Sequence, residues 1–364
     1  MRKTPVLVGH SDLARFIVAA FLAKGMAADD AEAIADALIW ANLRGGDSHG
    51  VVRLPRYIDL IASGEMNPTA RPAFALDTAT RFVLDGMRCA GPIAMRRAIA
   101  GASERAKHAG LCVGLVRDTT HTGAIGRYAH ALAEHGCIAV IAVAGIPLMA
   151  YHGARVRSVS TSPLAIGVPT GREPLVLDMA TSVAALGRLV QARAAGDVIP
   201  DGWAIAEDGS PTTDPKTAAI PLPLGGPKGS GLSLMFEFMA GLLSGAPVLT
   251  PALGPKHSTR HTQNAFILAL DVATFRPPAE FAADADALVD VIKSLPLRGG
   301  FDEILLPGER GRRTEALRRK TGIPIRAATW EALGELAKKL AIELPRPRAQ
   351  ADAGGPAQQA PKRV

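Results

Sequence analysis

Apolar residues recur along the first sixty positions with the period of an α-helix. Leu13, Phe16, Ile17, Ala20 and Phe21 form one stripe behind Ser11 or Asp12 as a cap, and Gly25 ends it. A second stripe, Ile34, Ala35, Leu38 and Ile39, stops at Gly45-Gly46. A third helix is predicted from Asp47-Ser48, burying Val51, Leu54, Ile58 and Ile61. From about residue 76 the character changes. Short β-rich runs (RFVLD, LCVGLVR, CIAVIAVA, PLVLDMA, NAFILALD) alternate with helical stretches near 92–109, 123–135, 183–195, 231–244 and 280–294. Helical pattern returns at 312–321 and 329–341, where Trp330, Leu333, Leu336, Ala337 and Leu340 share a face suited to packing on the first three helices. After Leu344 the apolar period is lost, which predicts a disordered tail over 346–364. No internal repeat is evident.

Composition narrows the class. The chain has 364 residues, 48% of them hydrophobic and 21% charged, which suits a folded chain of about two domains rather than a disordered or fibrous one. The 37 glycines and 27 prolines argue for many turns and against a helical bundle. The net charge of +7 opens a nucleic-acid reading. Residues 310–320 and 345–364 together carry more than all of it, leaving a body near −1 that offers no basic groove. Cys89, Cys112 and Cys137 are odd in number and far apart, which fits neither a disulfide framework nor a metal site. The opening MRKTPVLVGHSD lacks the apolar length of a signal peptide, and no run is long enough to span a bilayer. The expectation is a cytoplasmic protein without a membrane or nucleic-acid partner.

Three stretches could carry chemistry. In GGDSHGVVR (45–53), a continuous helix puts His49 and Arg53 on one face, opposite Val51, Leu54 and Ile58. An imidazole beside a guanidinium at a helix start suits a carboxylate substrate, which arginine grips through two parallel bonds while histidine exchanges a proton. A capped helix with both side chains solvated is the plain alternative. RDTTHTGAIGRYA (117–129) runs from a buried strand into a helix and approximates a dinucleotide fingerprint with His121 in place of the first glycine. No acidic residue follows at the distance that a ribose contact requires, so a conventional Rossmann domain is disfavoured; His121, at the end of a buried strand, remains a site candidate. LPLGGPKGSGLSL (222–234) sets Lys228 among glycines before a helix. It lacks the spacing of a P-loop but can cradle a phosphate with backbone amides and one ammonium, unless it is simply a solvated turn. His130 and His135 lie five apart and do not share a helical face, and no HExxH pattern occurs, so no metal site is expected.

Taken together, DSHGVVRLPRY (47–57), HTGAIGRYA (121–129), STSPLAIGVP (160–169), LDMATS (177–182), IPDGWAIAEDGSPTTDP (199–215), LPLGGPKGSGLSLMFE (222–237) and LPGER (306–310) resemble, in order, the malate/L-lactate dehydrogenase family of non-Rossmann oxidoreductases. The resemblance implies an α+β fold in which a helical domain (1–75 with 311–345) joins a mixed, largely antiparallel sheet domain (76–310) that binds NAD or NADP. It implies hydride transfer to or from C2 of a small 2-hydroxy or 2-oxo acid, with a cyclic imino acid or a ureidoglycolate-type compound as alternatives, usually in a homodimer. Carried over position by position, His49 and His121 match histidines described as proton donors, Arg53 a carboxylate-binding arginine and Ser48 its neighbour. Asp178, Met179, Ala180, Thr181, Ser182, Lys228, Gly308, Glu309 and Arg310 match cofactor-contacting segments. Thr-His-Thr-Gly (120–123) and Ser-Thr-Ser-Pro (160–163) depart from Asn-His-Phe-Gly and Gly-Thr-Asn-Pro in many relatives, and Gly145 stands where some members place a nucleotide-contacting serine. These departures border the substrate and nicotinamide pockets.

Overall fold

A computed structural model describes residues 4–348 except 256 and 259. The chain begins with β1 (Val6–Val8), α1 (His10–Leu22), α2 (Ala28–Leu43), two 3-10 turns (Asp47–His49 and Val51–Arg53) and α3 (Leu54–Ala62). There follow β2 (Ala73–Asp77), β3 (Arg81–Asp85), α4 (Gly91–Ala109), β4 (Leu111–Thr119), α5 (Gly126–Glu134) and β5 (Cys137–Gly145). The next stretch holds β6 (Met149–Ala150), β7 (Arg157–Val159), β8 (Leu164–Val168), β9 (Leu175–Met179), α6 (Leu186–Ala195), β10 (Ala204–Ile205) and β11 (Ile220–Pro221). α7 (Pro227–Phe236) runs into a π-helical turn over 237–242, then come α8 (Leu249–Leu253), β12 (Gln263–Asp271), α9 (Pro278–Ser294), α10 (Glu309–Thr321), β13 (Ile323–Ile325) and α11 (Ala327–Leu340).

Seven strands form the main sheet in the order β2-β3-β4-β12-β5-β8-β9. Only β3 and β4 pair in parallel, Phe82 opposite Gly114, and every other neighbouring pair is antiparallel. This is a mixed, largely antiparallel sheet, not a doubly wound parallel one. Along β12, Ala265, Ile267 and Ala269 are buried and the intervening Phe266, Leu268 and Leu270 are half-buried, the two-residue alternation of a pleated strand. α4 packs on β4 and β12, and α5 on β5, β8 and β9. One continuous apolar core links this sheet to α1, α2, α3 and α11. As the helical face predicted, Leu333, Leu336 and Ala337 are buried, and α10 and α11 pack on α2 and α3.

Some elements differ from the sequence pattern. α1 starts at His10 behind Gly9 with no side-chain cap, so neither Ser11 nor Asp12 caps it. The third helix starts at Leu54, seven residues later than the apolar stripe suggests. Gly50 breaks it: a Cβ there would lie 2.2 Å from Asn42 Oδ1, and its ψ of −151° is not helical. The helix predicted at 231–244 begins at Pro227, which puts Lys228 in its first turn instead of in a loop. β1 and β13, three residues each, are too short to read from periodicity and exist because they pair with each other, Val6 opposite Ile325. Residues 346–348, assigned to the tail, are held: Val8 bridges Pro347, and the Arg348 amide donates to Leu7 O at 2.8 Å. The rest of the predicted tail, 349–364, lies outside the described residues.

Candidate active site

The turns at 47–53 are built by Asn42, a buried amide on α2. Its Oδ1 accepts from the Val51 amide at 2.7 Å, and its Nδ2 donates to Asp47 at 2.8 Å. Arg318 on α10 closes the clamp, donating to Asp47 at 2.6 Å. Because Gly50 interrupts the helix, His49 and Arg53 do not share the α-helical face that the spacing predicts. They are neighbours through another route: Arg53 Nε donates to Ser48 O at 2.6 Å, and Ser48 Oγ meets His49 Nδ1 at 2.9 Å.

His121 arrives from the sheet side. It follows β4 on a segment anchored by Gln263, whose Oε1 accepts from the Thr122 amide at 2.7 Å and hydroxyl at 2.9 Å. Gly91 at the start of α4 permits the approach, since a Cβ there would lie 2.4 Å from His121 O. The His49 and His121 rings stack with centroids 5.5 Å apart, though 72 positions separate them in sequence. Tyr57, one turn beyond Arg53 on α3 and fully buried, places its hydroxyl 2.7 Å from His121 Nδ1 and 3.2 Å from His121 O. Whichever of the two atoms donates, the ring is fixed through Nδ1 and Nε2 is left free. His261 lies beyond, its centroid 6.2 Å from that of His121.

The three imidazoles are hemmed in by protein yet only half-buried by exposed area, which is the signature of a cleft wall. Burial, reinforced by the positive charge of Arg53, pushes His49 down to about 4 and His121 well below the ordinary histidine value. Burial with the nearby Arg56 pushes His261 down to about 4. The cleft therefore sets neutral imidazoles beside the guanidiniums of Arg53 and Arg56, a lining suited to an anion.

A second group of residues lies along β9. Asp178 Oδ2 accepts from the Gly126 amide at 2.9 Å at the first turn of α5, where only glycine fits: a Cβ would lie 2.7 Å from that oxygen. Asp178 keeps an exposed surface while protein surrounds its carboxyl, and burial pushes it up to about 6. Met179 and Ala180 are half-buried, Thr181 and Ser182 buried. The Thr181 amide donates to Thr161 O at 3.0 Å, and its carbonyl accepts from the Leu224 amide at 2.8 Å. Its hydroxyl is buried without a hydrogen-bond partner among the described residues. The same contact brings in the 222–229 segment, where Gly225 and Gly226 have φ of 56° and 61° and exposed Lys228 makes no ion pair among the described residues. Gly308 packs on Val176 of β9, and its carbonyl accepts from Arg44 at 3.3 Å. Glu309 is engaged otherwise: both its oxygens accept from Lys293 at 2.9 Å. Arg310 is exposed.

The structure thus brings Ser48, His49, Arg53 and His121 together in one cleft, and Thr181 together with the Lys228 segment. Sequence reasoning missed Tyr57 and His261. Tyr57 ended a quoted motif, four residues after Arg53, which was signal enough; His261 carried none. Cavities of about 270 and 520 Å³ flank the Glu173 end of the β8-β9 hairpin, away from the three imidazoles. Among the described residues no group of three metal-ligating side chains occurs, and no helix is long and apolar enough to cross a membrane.

The pattern of the malate/L-lactate dehydrogenase family matches residues 8–334. The chain is 36% identical over 350 residues to the malate dehydrogenase of Pyrococcus horikoshii, covering 93% of this chain and 96% of that one. The crystal structure of malate dehydrogenase from Entamoeba histolytica superposes with a TM-score of 0.88 at 31% identity, covering 93% of this chain and 99% of that one. That of delta1-piperideine-2-carboxylate reductase from Pseudomonas syringae superposes with a TM-score of 0.80 at 30% identity, covering 91% and 99%. The chain belongs to the malate/L-lactate dehydrogenase family. It is therefore an oxidoreductase acting on a CH–OH group, and its family implies a nicotinamide cofactor.

Proposed function

We propose that the cleft reduces a small 2-oxo acid of the malate or lactate type at C2, and oxidises the corresponding 2-hydroxy acid, with His121 moving the proton. The observation that carries this reading is the convergence of His121, His49 and Arg53 from two separate parts of the chain. Arg53 holds the substrate carboxylate by a two-point grip, which fixes the face of C2 presented for reaction. Burial and the positive charge of Arg53 keep the imidazoles neutral; the bound carboxylate offsets the second of these, so His121 can hold the proton destined for the C2 oxygen at Nε2. Tyr57 orients that ring through Nδ1. His49, tied to Ser48, is a contact on the opposite side of the stacked pair.

The second group of residues fits a nicotinamide cofactor: a buried Thr181 hydroxyl and an exposed Lys228 in the first turn of α7, both without a side-chain partner among the described residues, behind the tight turn at Gly225 and Gly226. NAD or NADP, when bound, supplies or accepts the hydride. Asp178 through Ser182, Lys228 and the 308–310 segment would hold it. The proposed division of labour puts Arg53, Ser48 and His49 on the helical layer (1–75 with 311–345), and His121 with the cofactor residues on the sheet layer (76–310).

A cyclic imino acid is the second reading, favoured by the similarity to the Pseudomonas reductase; it would use the same groups on a C=N bond. Against a nucleic-acid role, the basic run on α10 is engaged internally: Arg313 pairs with Glu303, Arg318 with Asp47 and Arg319 with Glu315. The exposed apolar side chains Leu232, Met235, Phe238, Leu242 and Leu243, on α7 and the turn after it, support a homodimer. Oxidation of NADH and NADPH, each assayed against a panel of 2-oxo acids and cyclic imines, tests the reading. Turnover of imines alone would replace it with the second one, and no turnover at all would end it.

A further inference from the structure

His261 is placed with care and left unfinished. Its amide donates to Glu65 Oε2 at 3.0 Å, and its carbonyl accepts from Arg88 at 2.8 Å. Arg88 also donates to the Thr262 hydroxyl at 2.8 Å and to Glu65 O. The main chain is thus locked, and its ring centroid lies 6.2 Å from that of His121, whose ring stacks on His49. Yet His261 Nε2 is buried and has no hydrogen-bond partner among the described residues. A buried imidazole nitrogen without a partner costs free energy, so its retention beside a substrate cleft points to a partner that arrives with the ligand. The field there is positive. Arg88 and Glu65 are committed to the backbone contacts just described, while Arg56, the charge acting most strongly on the ring, makes no ion pair among the described residues.

We propose that His261, with Arg56, is the specificity-determining pair for the far end of the substrate, binding a second carboxylate carried on C3 of the 2-oxo acid. This rests on the reading of the cleft above, in which Arg53 takes the C1 carboxylate and His121 the C2 oxygen. Neutral His261 donates from Nε2 to the second carboxylate, and Arg56 balances its charge. A monocarboxylic 2-oxo acid leaves that donor unmatched and is bound less well.

The test compares kcat/KM for oxaloacetate and for pyruvate in the wild-type enzyme and in His261→Leu, His261→Gln and Arg56→Met. The wild type should favour oxaloacetate by about tenfold or more, the discrimination expected when a buried donor is left unmatched. His261→Leu should lower kcat/KM for oxaloacetate by about tenfold and leave pyruvate within about threefold, while His261→Gln, which keeps a donor, retains the preference. Arg56 is exposed, so Arg56→Met should fold normally and lose preference in the same direction. Equal losses on both substrates, or no loss in either His261→Leu or Arg56→Met, would overturn the assignment. A wild-type enzyme that reduced neither acid would instead overturn the reading of the reaction.

Discussion

Replacing Tyr57 by Phe removes one oxygen atom from a buried position and little else. That oxygen lies 2.7 Å from His121 Nδ1, and no other partner of this nitrogen is present among the described residues. Two costs follow. The folded protein is left with a buried, unsatisfied imidazole nitrogen, which should lower stability by about 1 to 3 kcal/mol. During proton transfer His121 passes through its charged form, and a hydrogen bond to a charged partner contributes about 1.5 to 3 kcal/mol, so kcat should fall by roughly 10 to 100-fold. The assay is steady-state reduction of a 2-oxo acid at saturating cofactor over a pH series, with thermal denaturation of the same variant beside it. With the substrate carboxylate assigned to Arg53 in the proposed reading, KM should change much less than kcat. A variant that lost stability but kept wild-type kcat and pH profile would show that Tyr57 merely fills space, and that His121 is not the proton-transferring group.

Lys228→Ala should raise the KM for the cofactor severalfold and leave that for the 2-oxo acid nearly unchanged, as read from initial rates with each component varied; the reverse pattern would move Lys228 to the substrate. Acid should destabilise the fold through the histidines. With His49 and His261 held near 4 in the folded state against 6.5 unfolded, the unfolded chain binds protons first, so stability is complete above pH 6.5 and is lost as pH falls toward about 4. The loss is on the order of 3 kcal/mol per ring at most, less where solvent reaches the ring, and urea denaturation at pH 7 and pH 5 should show it shrinking in His261→Gln.

The large architecture was legible because it rests on periodicity. Phe16 and Ile17 on α1, or Ile267 and Ala269 on β12, declare their buried faces through spacing alone. What escaped was set by contacts distant in sequence. The break before α3 comes from Asn42 occupying the space a side chain at position 50 would need, and β1 exists only because β13 lies beside it. The site shows the same division. His49, Arg53 and His121 were found, but the argument joining the first two through a shared helical face was wrong; their convergence depends on the turn at Gly50 and on Gly91 admitting the His121 segment. His261 gave no signal, since its position depends on Arg88 and Glu65, both more than 170 residues away.

The central claim is that a histidine in this cleft moves the proton of a hydride-transfer reaction on a 2-oxo acid. The most direct measurement is kcat for that reduction in His121→Asn and His49→Asn across pH 5 to 9. His121→Asn should lose about 10² to 10⁴ in kcat together with one limb of the pH profile, while His49→Asn keeps that limb. Both variants remaining within about tenfold of wild type, below the range of general acid-base catalysis, would contradict the account.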